Sequence, residues 1–150
     1  MVAILPAFNE ETSIGSVVLL TRMYVDRVIV VDDGSSDRTA EVARLAGAEV
    51  IRHPTNMGKG AALRTGFMAA EGADVIVTLD SDGQHDPADI PRLIQPVLHG
   101  EADMVNGSRY LRGNRKDTPL YRRVGQRVLD MATNLDSGLR VTDSQSGFRA

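Results

Sequence analysis

The chain has no cysteine and no tryptophan, only three histidines, at 53, 85 and 99, and 4% aromatic residues among its 150. Absent thiols exclude disulfide scaffolds, cysteine nucleophiles and cysteine-ligated zinc, and histidines this scattered form no zinc motif. Long apolar runs are missing too. The longest stretch without charge, Thr12 to Thr21, is ten residues, against the roughly 18 or more that a membrane span requires. The opening Met1-Val-Ala-Ile-Leu-Pro6 lacks a basic start and is too short an apolar run for a signal peptide, so a cytoplasmic location is expected. What is present, 42% hydrophobic and 25% charged residues, suits one soluble domain, which at this size buries roughly two-thirds of its unfolded surface.

Net charge is −3, but positive charge is concentrated. Residues 109 to 127 hold seven Arg and Lys against Asp117 alone, a segment of +6 that leaves −9 elsewhere. Such a run is either a solvated face or a site for an anionic partner. Nucleic acid is disfavoured as that partner, because the whole chain is acidic and the segment's only aromatics are Tyr110 and Tyr121.

Short β-branched apolar runs recur at Val2–Leu5, Arg27–Val31, Ala48–Arg52, Asp74–Leu79 and Asp103–Val105, as expected of strands buried on both faces. Helix-length segments separate them: Thr12–Met23, Asp37–Ala46 behind a Ser35-Ser36 cap, Gly60–Ala70 closed by Gly72, and Ala88–Leu98, irregular at Pro91 and Pro96. This alternation predicts an α/β fold with right-handed crossovers and a mostly parallel central sheet flanked by helices. A polar loop over 110–117 and a further helix from Pro119 follow, with Leu120, Val124, Val128, Met131 and Leu135 on one stripe and Arg123 and Arg127 together on another face. The chain is expected to be a single catalytic domain that stops short of its C-terminal end.

Ligands of open parallel sheets bind at the carboxyl ends of the strands, where strand order reverses. Pro6-Ala-Phe-Asn-Glu-Glu11, Asp32-Asp33-Gly34-Ser35-Ser36-Asp37 and Asp80-Ser81-Asp82-Gly83-Gln84 all fall there. Carboxylates crowded at one edge repel unless a cation joins them, and oxygen-only ligands suit Mg²⁺ or Mn²⁺. Each motif alone also reads as a turn or a helix cap. Asn56-Met-Gly-Lys-Gly60 ahead of a helix has the form of a phosphate-cradling turn. It is not a P-loop, since His53 stands where the first glycine is required and Gly60 where a Ser or Thr is. No Gly-x-Gly-x-x-Gly follows the first strand, which disfavours a dinucleotide-binding domain.

Together the ordered stretches VAILPAFNEE, VIVVDDGSSDRT, NMGKGAALRTGF, TLDSDGQHDP, GSRY and DSQSGFRA resemble the family 2 inverting glycosyltransferases of GT-A fold. They are most similar to the dolichyl-phosphate mannose synthase and polyprenyl-phosphate glycosyltransferase branch. The resemblance implies a hexose moved from a UDP- or GDP-linked sugar to dolichyl or polyprenyl phosphate at the cytoplasmic face of a membrane, and leaves room for a homodimer. By that resemblance Asp33 would hydrogen-bond the base, with Pro6, Ala7 and Glu10 lining the nucleoside pocket. Asp80 and Asp82, flanking Ser81, would be the DxD pair and with Gln84 would hold the metal on the donor pyrophosphate. Lys59 and Arg64 would lie beside the nucleotide, Arg109, Arg123 and Arg127 would bind the pyrophosphate and the acceptor phosphate, and Asp143 would lie near the reacting centre. A polysaccharide or glycolipid hydroxyl is the alternative acceptor. Two other classes compete: a haloacid-dehalogenase phosphatase, suggested by Leu79-Asp-Ser-Asp-Gly83, and a receiver-like signalling domain with an acidic Mg²⁺ pocket. The former expects a Thr or Val at Gln84, and the latter an acidic pair where this chain has Pro6-Ala-Phe-Asn.

Overall fold

A computed structural model describes residues 1–107 and 147–150. Four strands form one parallel sheet: β1 (Val2–Ala7), β2 (Arg27–Asp32), β3 (Glu49–Arg52) and β4 (Ile76–Thr78), in the order β3-β2-β1-β4. Helices α1 (Ile14–Thr21), α2 (Thr39–Leu45) and α3 (Lys59–Ala69) carry the crossovers, and a short 3₁₀ turn (Pro87–Asp89) leads into α4 (Ile90–Leu98). The chain steps outward from β1 to β3 and then returns across the sheet to place β4 on the other side of β1. Strand order therefore reverses between β1 and β4, and the cleft belongs at their carboxyl ends.

The central strand is apolar throughout because it is covered on both sides; all six residues of β1 are buried. Ala3, Leu5 and Ala7 face a core shared with Ile14, Val17 and Val18 of α1, Ala43 of α2 and Ile90, Leu93 and Ile94 of α4. Val2 and Ile4 face the other way, with Ile29 and Val31, onto Ala62 of α3. Each large aliphatic side chain so buried contributes ~1.5–3 kcal/mol. β3, at the edge, is half-buried at Val50 and Ile51 and exposed at Glu49 and Arg52.

Several expected elements are redrawn. The second helix begins at Thr39 and not behind a Ser35-Ser36 cap: the Asp37 carboxylate takes the Thr39 N–H, while the Ser35 hydroxyl accepts the Asn9 N–H. Those serines bridge two loops instead of starting one helix. The fourth helix does split ahead of Pro91, into the 3₁₀ turn and α4, yet it runs on through Pro96. A free-standing fifth strand over 103–105 does not form. Instead Thr78 pairs antiparallel with Arg149, and Arg149 in turn with Asn106, so the segment 147–150 is threaded between β4 and residues 105–107. The polar loop and helix expected over 110–135 lie outside the described residues.

Candidate active site

Two loops, after β1 and β2, are laced together before any ligand arrives. The Asp33 N–H donates to the Ala7 carbonyl at 2.8 Å, Asn9 N–H to Ser35 Oγ at 2.9 Å, Glu10 N–H to Thr39 Oγ1 at 2.8 Å, and Ser36 N–H to Asn9 Oδ1 at 2.9 Å. Asn9 sits in the left-handed region with φ 56°, a conformation asparagine tolerates better than most residues. This lacing fixes the first wall of the cleft. A cavity of about 310 Å³ opens there, lined by Pro6 and Ala7 at the end of β1, Glu10 in the loop after it, Asp33 just past β2, Lys59 and Ala62 at the start of α3, and Asp80, Ser81 and Asp82 after β4. Most of the expected donor-site residues thus come to one cleft. A larger cavity of about 590 Å³ on the other side of Lys59 is walled mainly by apolar groups such as Leu63, Phe67, Ile76 and Val97. The smaller cleft gathers the acidic and backbone polar groups that chemistry requires.

Asp33 is buried, and its carboxylate is held by three donors. Oδ1 accepts the Met57 N–H at 2.9 Å and contacts His53 Nδ1 at 2.7 Å; Oδ2 accepts the Gly58 N–H at 2.7 Å. Burial alone would raise this carboxyl, but the two backbone N–H groups and His53 outweigh it and leave the group below its ordinary range. The loop can come this close because Gly34, at φ 75°, has no side chain: a Cβ there would stand 2.5 Å from the Thr55 carbonyl carbon. Its neighbour Asp32 is fully buried, with Oδ1 accepting the Ser35 N–H. Arg52 Nε approaches Asp32 Oδ2 at 3.1 Å, yet Oδ2 makes no aligned hydrogen bond, so the contact is one of charge.

At the opposite end, Asp80 pairs with the Lys59 ammonium. His85 Nε2 is 3.8 Å from Asp80 Oδ2, too far for a hydrogen bond, and has no other partner among the described residues; the ring packs on Phe148 with centroids 5.3 Å apart. Burial again favours the neutral acid, but His85 and Lys59 hold Asp80 down to about 2. Asp80 is therefore anionic at any physiological pH. Gly147, brought in by the pairing of Arg149 with Thr78, lies directly over this carboxylate, where any Cβ would collide with it. Asp82 is exposed and, among the described residues, held by its own turn through the Gln84 N–H at 3.0 Å. Ser81 faces inward and donates to the Pro6 carbonyl at 2.9 Å, tying the acidic loop to β1.

Two expected site residues stand apart from the cleft. Arg64 is exposed and does not line it; five positions beyond Lys59, at about 100° per residue, it points to another side of α3. Gln84 is exposed and meets Asp82 through its backbone. Arg109, Arg123, Arg127 and Asp143 lie outside the described residues. Conversely His53, outside every quoted motif, and Thr65, His85 and Gly147, which lie within quoted motifs but carry no expected role, contact the residues of the site or one another there. The one available signal was position: His53 directly follows a strand at the ligand end of the sheet.

An ionised Asp80 and an exposed Asp82 two residues on present hard oxygen donors with open coordination positions, which fits Mg²⁺ or Mn²⁺ sharing a substrate diphosphate. Among the described residues no cluster of three or more His, Cys, Asp or Glu could enclose a metal by itself. No helix among them is long and apolar enough to cross a membrane.

Comparison with known proteins agrees with this geometry. The chain is 44% identical to an uncharacterised protein of Methanocaldococcus jannaschii over 98% of its length and 62% of the relative's. It is 40% identical to UDP-N-acetylglucosamine–dolichyl-phosphate N-acetylglucosaminyltransferase of Methanococcus voltae, covering 98% of the chain and 67% of that protein. An undecaprenyl-phosphate 4-deoxy-4-formamido-L-arabinose transferase of Pectobacterium carotovorum is 34% identical over 98% of the chain and 47% of the transferase. The chain thus spans about half to two-thirds of the length of these relatives. Among solved structures, glucosyl-3-phosphoglycerate synthase of Mycobacterium tuberculosis in complex with Mn²⁺ and UDP-glucose superposes with a TM-score of 0.74 at 32% identity, over 99% of this chain and 54% of that one. The phosphatase and receiver readings have no support here: the acidic pair follows β4, and β1 ends in Pro6 and Ala7 and leads into Phe8 and Asn9. With the glycosyl transferase family 2 model matching residues 2–149, and with the acidic loop placed at the reversal of a GT-A sheet, the chain belongs to glycosyl transferase family 2.

Proposed function

We propose that this chain forms the donor-binding part of a metal-dependent inverting glycosyltransferase that moves a hexose from a nucleotide-diphosphate sugar to dolichyl or polyprenyl phosphate. The carrying observation is the cleft: anionic Asp33 at one end, anionic Asp80 with Asp82 at the other, and Pro6, Ala7 and Glu10 between. The nucleoside lies at the Asp33 end and the diphosphate at the Asp80 end, beside Lys59. A UDP-linked sugar is favoured by the named donor of the Methanococcus relative and by the UDP-glucose complex of the structural neighbour.

Asp80 and Asp82, with Gln84 if its side chain turns inward, would hold Mg²⁺ or Mn²⁺, which when bound would supply Lewis-acid stabilisation of charge on the departing diphosphate. Lys59 adds positive charge beside the same leaving group. An acceptor phosphate oxygen attacks the anomeric carbon from the face opposite the nucleotide; the carbon–oxygen bond to the diphosphate breaks and its electron pair leaves with the nucleotide. A phosphate monoester, with a second pKa of about 6, is already largely anionic at neutral pH and needs no base. A hydroxyl acceptor would need one, such as Asp143. Arg109, Arg123 and Arg127 receive the acceptor phosphate, and their basic segment brings the protein into peripheral contact with the membrane that holds the lipid.

The test is transfer of radiolabel from UDP-hexoses to a short-chain polyprenyl phosphate in detergent, with the unphosphorylated polyprenol as control. Label is expected on the phosphate only, and Arg123→Ala with Arg127→Ala should raise the acceptor KM. Equal labelling of the polyprenol, or an unchanged KM, would contradict the acceptor assignment.

A further inference from the structure

We propose that His53, backed by Thr65, makes Asp33 a reader of uracil and an excluder of guanine. The proposal rests on the donor-site reading above and adds the residue that sets base selectivity. His53 follows β3 directly, its own N–H donating to the Asp32 carbonyl at 2.9 Å, and its ring is buried. Nδ1 lies 2.7 Å from Asp33 Oδ1 and Nε2 lies 2.9 Å from Thr65 Oγ1 on α3. A hydroxyl can donate to Nε2, whereas a carboxylate can only accept, so the proton on Nδ1 points at Asp33.

A carboxylate has about four acceptor positions. On Oδ1 both are taken, by His53 and the Met57 N–H; on Oδ2 one is taken, by the Gly58 N–H. A single acceptor position remains, on Oδ2. Uracil offers a single N–H, at N3, between two carbonyl oxygens. Guanine offers N1–H and the adjacent amino group together, a pair of donors whose natural partner is both oxygens of one carboxylate. With Oδ1 filled, the guanine amino group would be desolvated against an acceptor that cannot receive it, and a site that leaves a buried donor unpaired discriminates strongly. Cytosine, unprotonated at N3, cannot donate from the ring position that uracil uses and would set an acceptor lone pair against the carboxylate. The arrangement exists before ligand binding, because the 53–58 loop is docked on Asp33 by backbone N–H groups and cannot swing away without breaking them.

Titration calorimetry with UDP and GDP, each with Mn²⁺, tests this on the wild-type chain and on His53→Phe, His53→Asn and Asp33→Asn. UDP should bind at least about tenfold more tightly than GDP. His53→Phe keeps the ring and frees Oδ1, so the ratio should fall toward one; His53→Asn supplies an amide N–H in the place of Nδ1 and should keep the ratio within about threefold of wild type. Should the phenylalanine variant lose its cooperative melt, Thr65→Val, which removes the group that orients the ring, should narrow the ratio in the same direction. Wild-type binding of GDP as tight as UDP, or an unchanged preference in His53→Phe with UDP binding still lost in Asp33→Asn, would overturn the role of His53 and leave the donor site intact. UDP binding unaffected in Asp33→Asn would remove the donor-site reading itself.

Discussion

The two ends of the cleft are built on opposite plans. At the Asp33 end the carboxylate is buried and three of its acceptor positions are filled by His53, Met57 and Gly58. At the Asp80–Asp82 end, among the described residues, Asp82 is exposed and tied only to its own turn, and Asp80 is paired with a half-exposed lysine and faced by a histidine nitrogen that has no partner. A recognition site profits from groups already fixed, because ordering them on binding costs affinity. A site for a metal and a leaving diphosphate needs coordination positions left open. On the proposed donor-site reading, one cleft holds a pre-fixed base-binding carboxylate beside a charge site left open for metal and diphosphate.

That contrast can be broken at either end. The largest effect should come from Asp80→Asn and Asp82→Asn, each lowering transferase activity ~100-fold or more while leaving the fold intact by circular dichroism. Asp33→Asn comes next: it turns an acceptor into a donor against the Met57 or Gly58 N–H, and should weaken UDP binding about tenfold or more in calorimetry and lower stability by ~1–3 kcal/mol in urea unfolding. Gly147→Ala drives a methyl into the Asp80 carboxylate, so it should cost ~1–3 kcal/mol and weaken metal-dependent nucleotide binding without touching Asp33. Acid unfolding separates the charges: the Asp80 contribution is fully present above the unfolded carboxyl's 3.8 and is lost as pH falls from there to about 2. In Asp80→Asn, stability should accordingly fall less steeply across that window. The smallest effect belongs to Arg64→Ala, which lies off the cleft and should leave UDP affinity within about twofold.

The reader's ingredients were only partly legible. Asp33, Pro6, Ala7, Glu10 and the acidic loop could be placed from sequence because a strand's end fixes where the next few residues go, and alternating strands and helices fix which end that is. Lys59, picked out by its glycine-flanked turn, lines the same cleft and pairs with Asp80. Arg64 was carried with it by motif alone, although five residues along a helix turn a side chain well away from its neighbour. His53 and Thr65 were invisible as a pair, since nothing in spacing tells that the loop after β3 folds back over the end of β2. Gly147 was harder still. Its place over Asp80 depends on a tetrapeptide pairing with β4 from 69 residues away, and the same long-range pairing replaced the expected strand at 103–105. The Ser35-Ser36 cap failed for a related reason: those hydroxyls and N–H groups serve the neighbouring loop, a tertiary use that competes with the local one.

The most direct measurement is calorimetric titration of UDP into the wild-type chain with and without Mn²⁺, repeated on Asp80→Asn and Asp82→Asn. Binding that requires the ion in the wild type, and loses that requirement together with most of its affinity in both variants, is the predicted result. UDP binding that is equally tight without Mn²⁺ and unchanged in both variants would contradict a metal-assisted diphosphate site at the Asp80–Asp82 end.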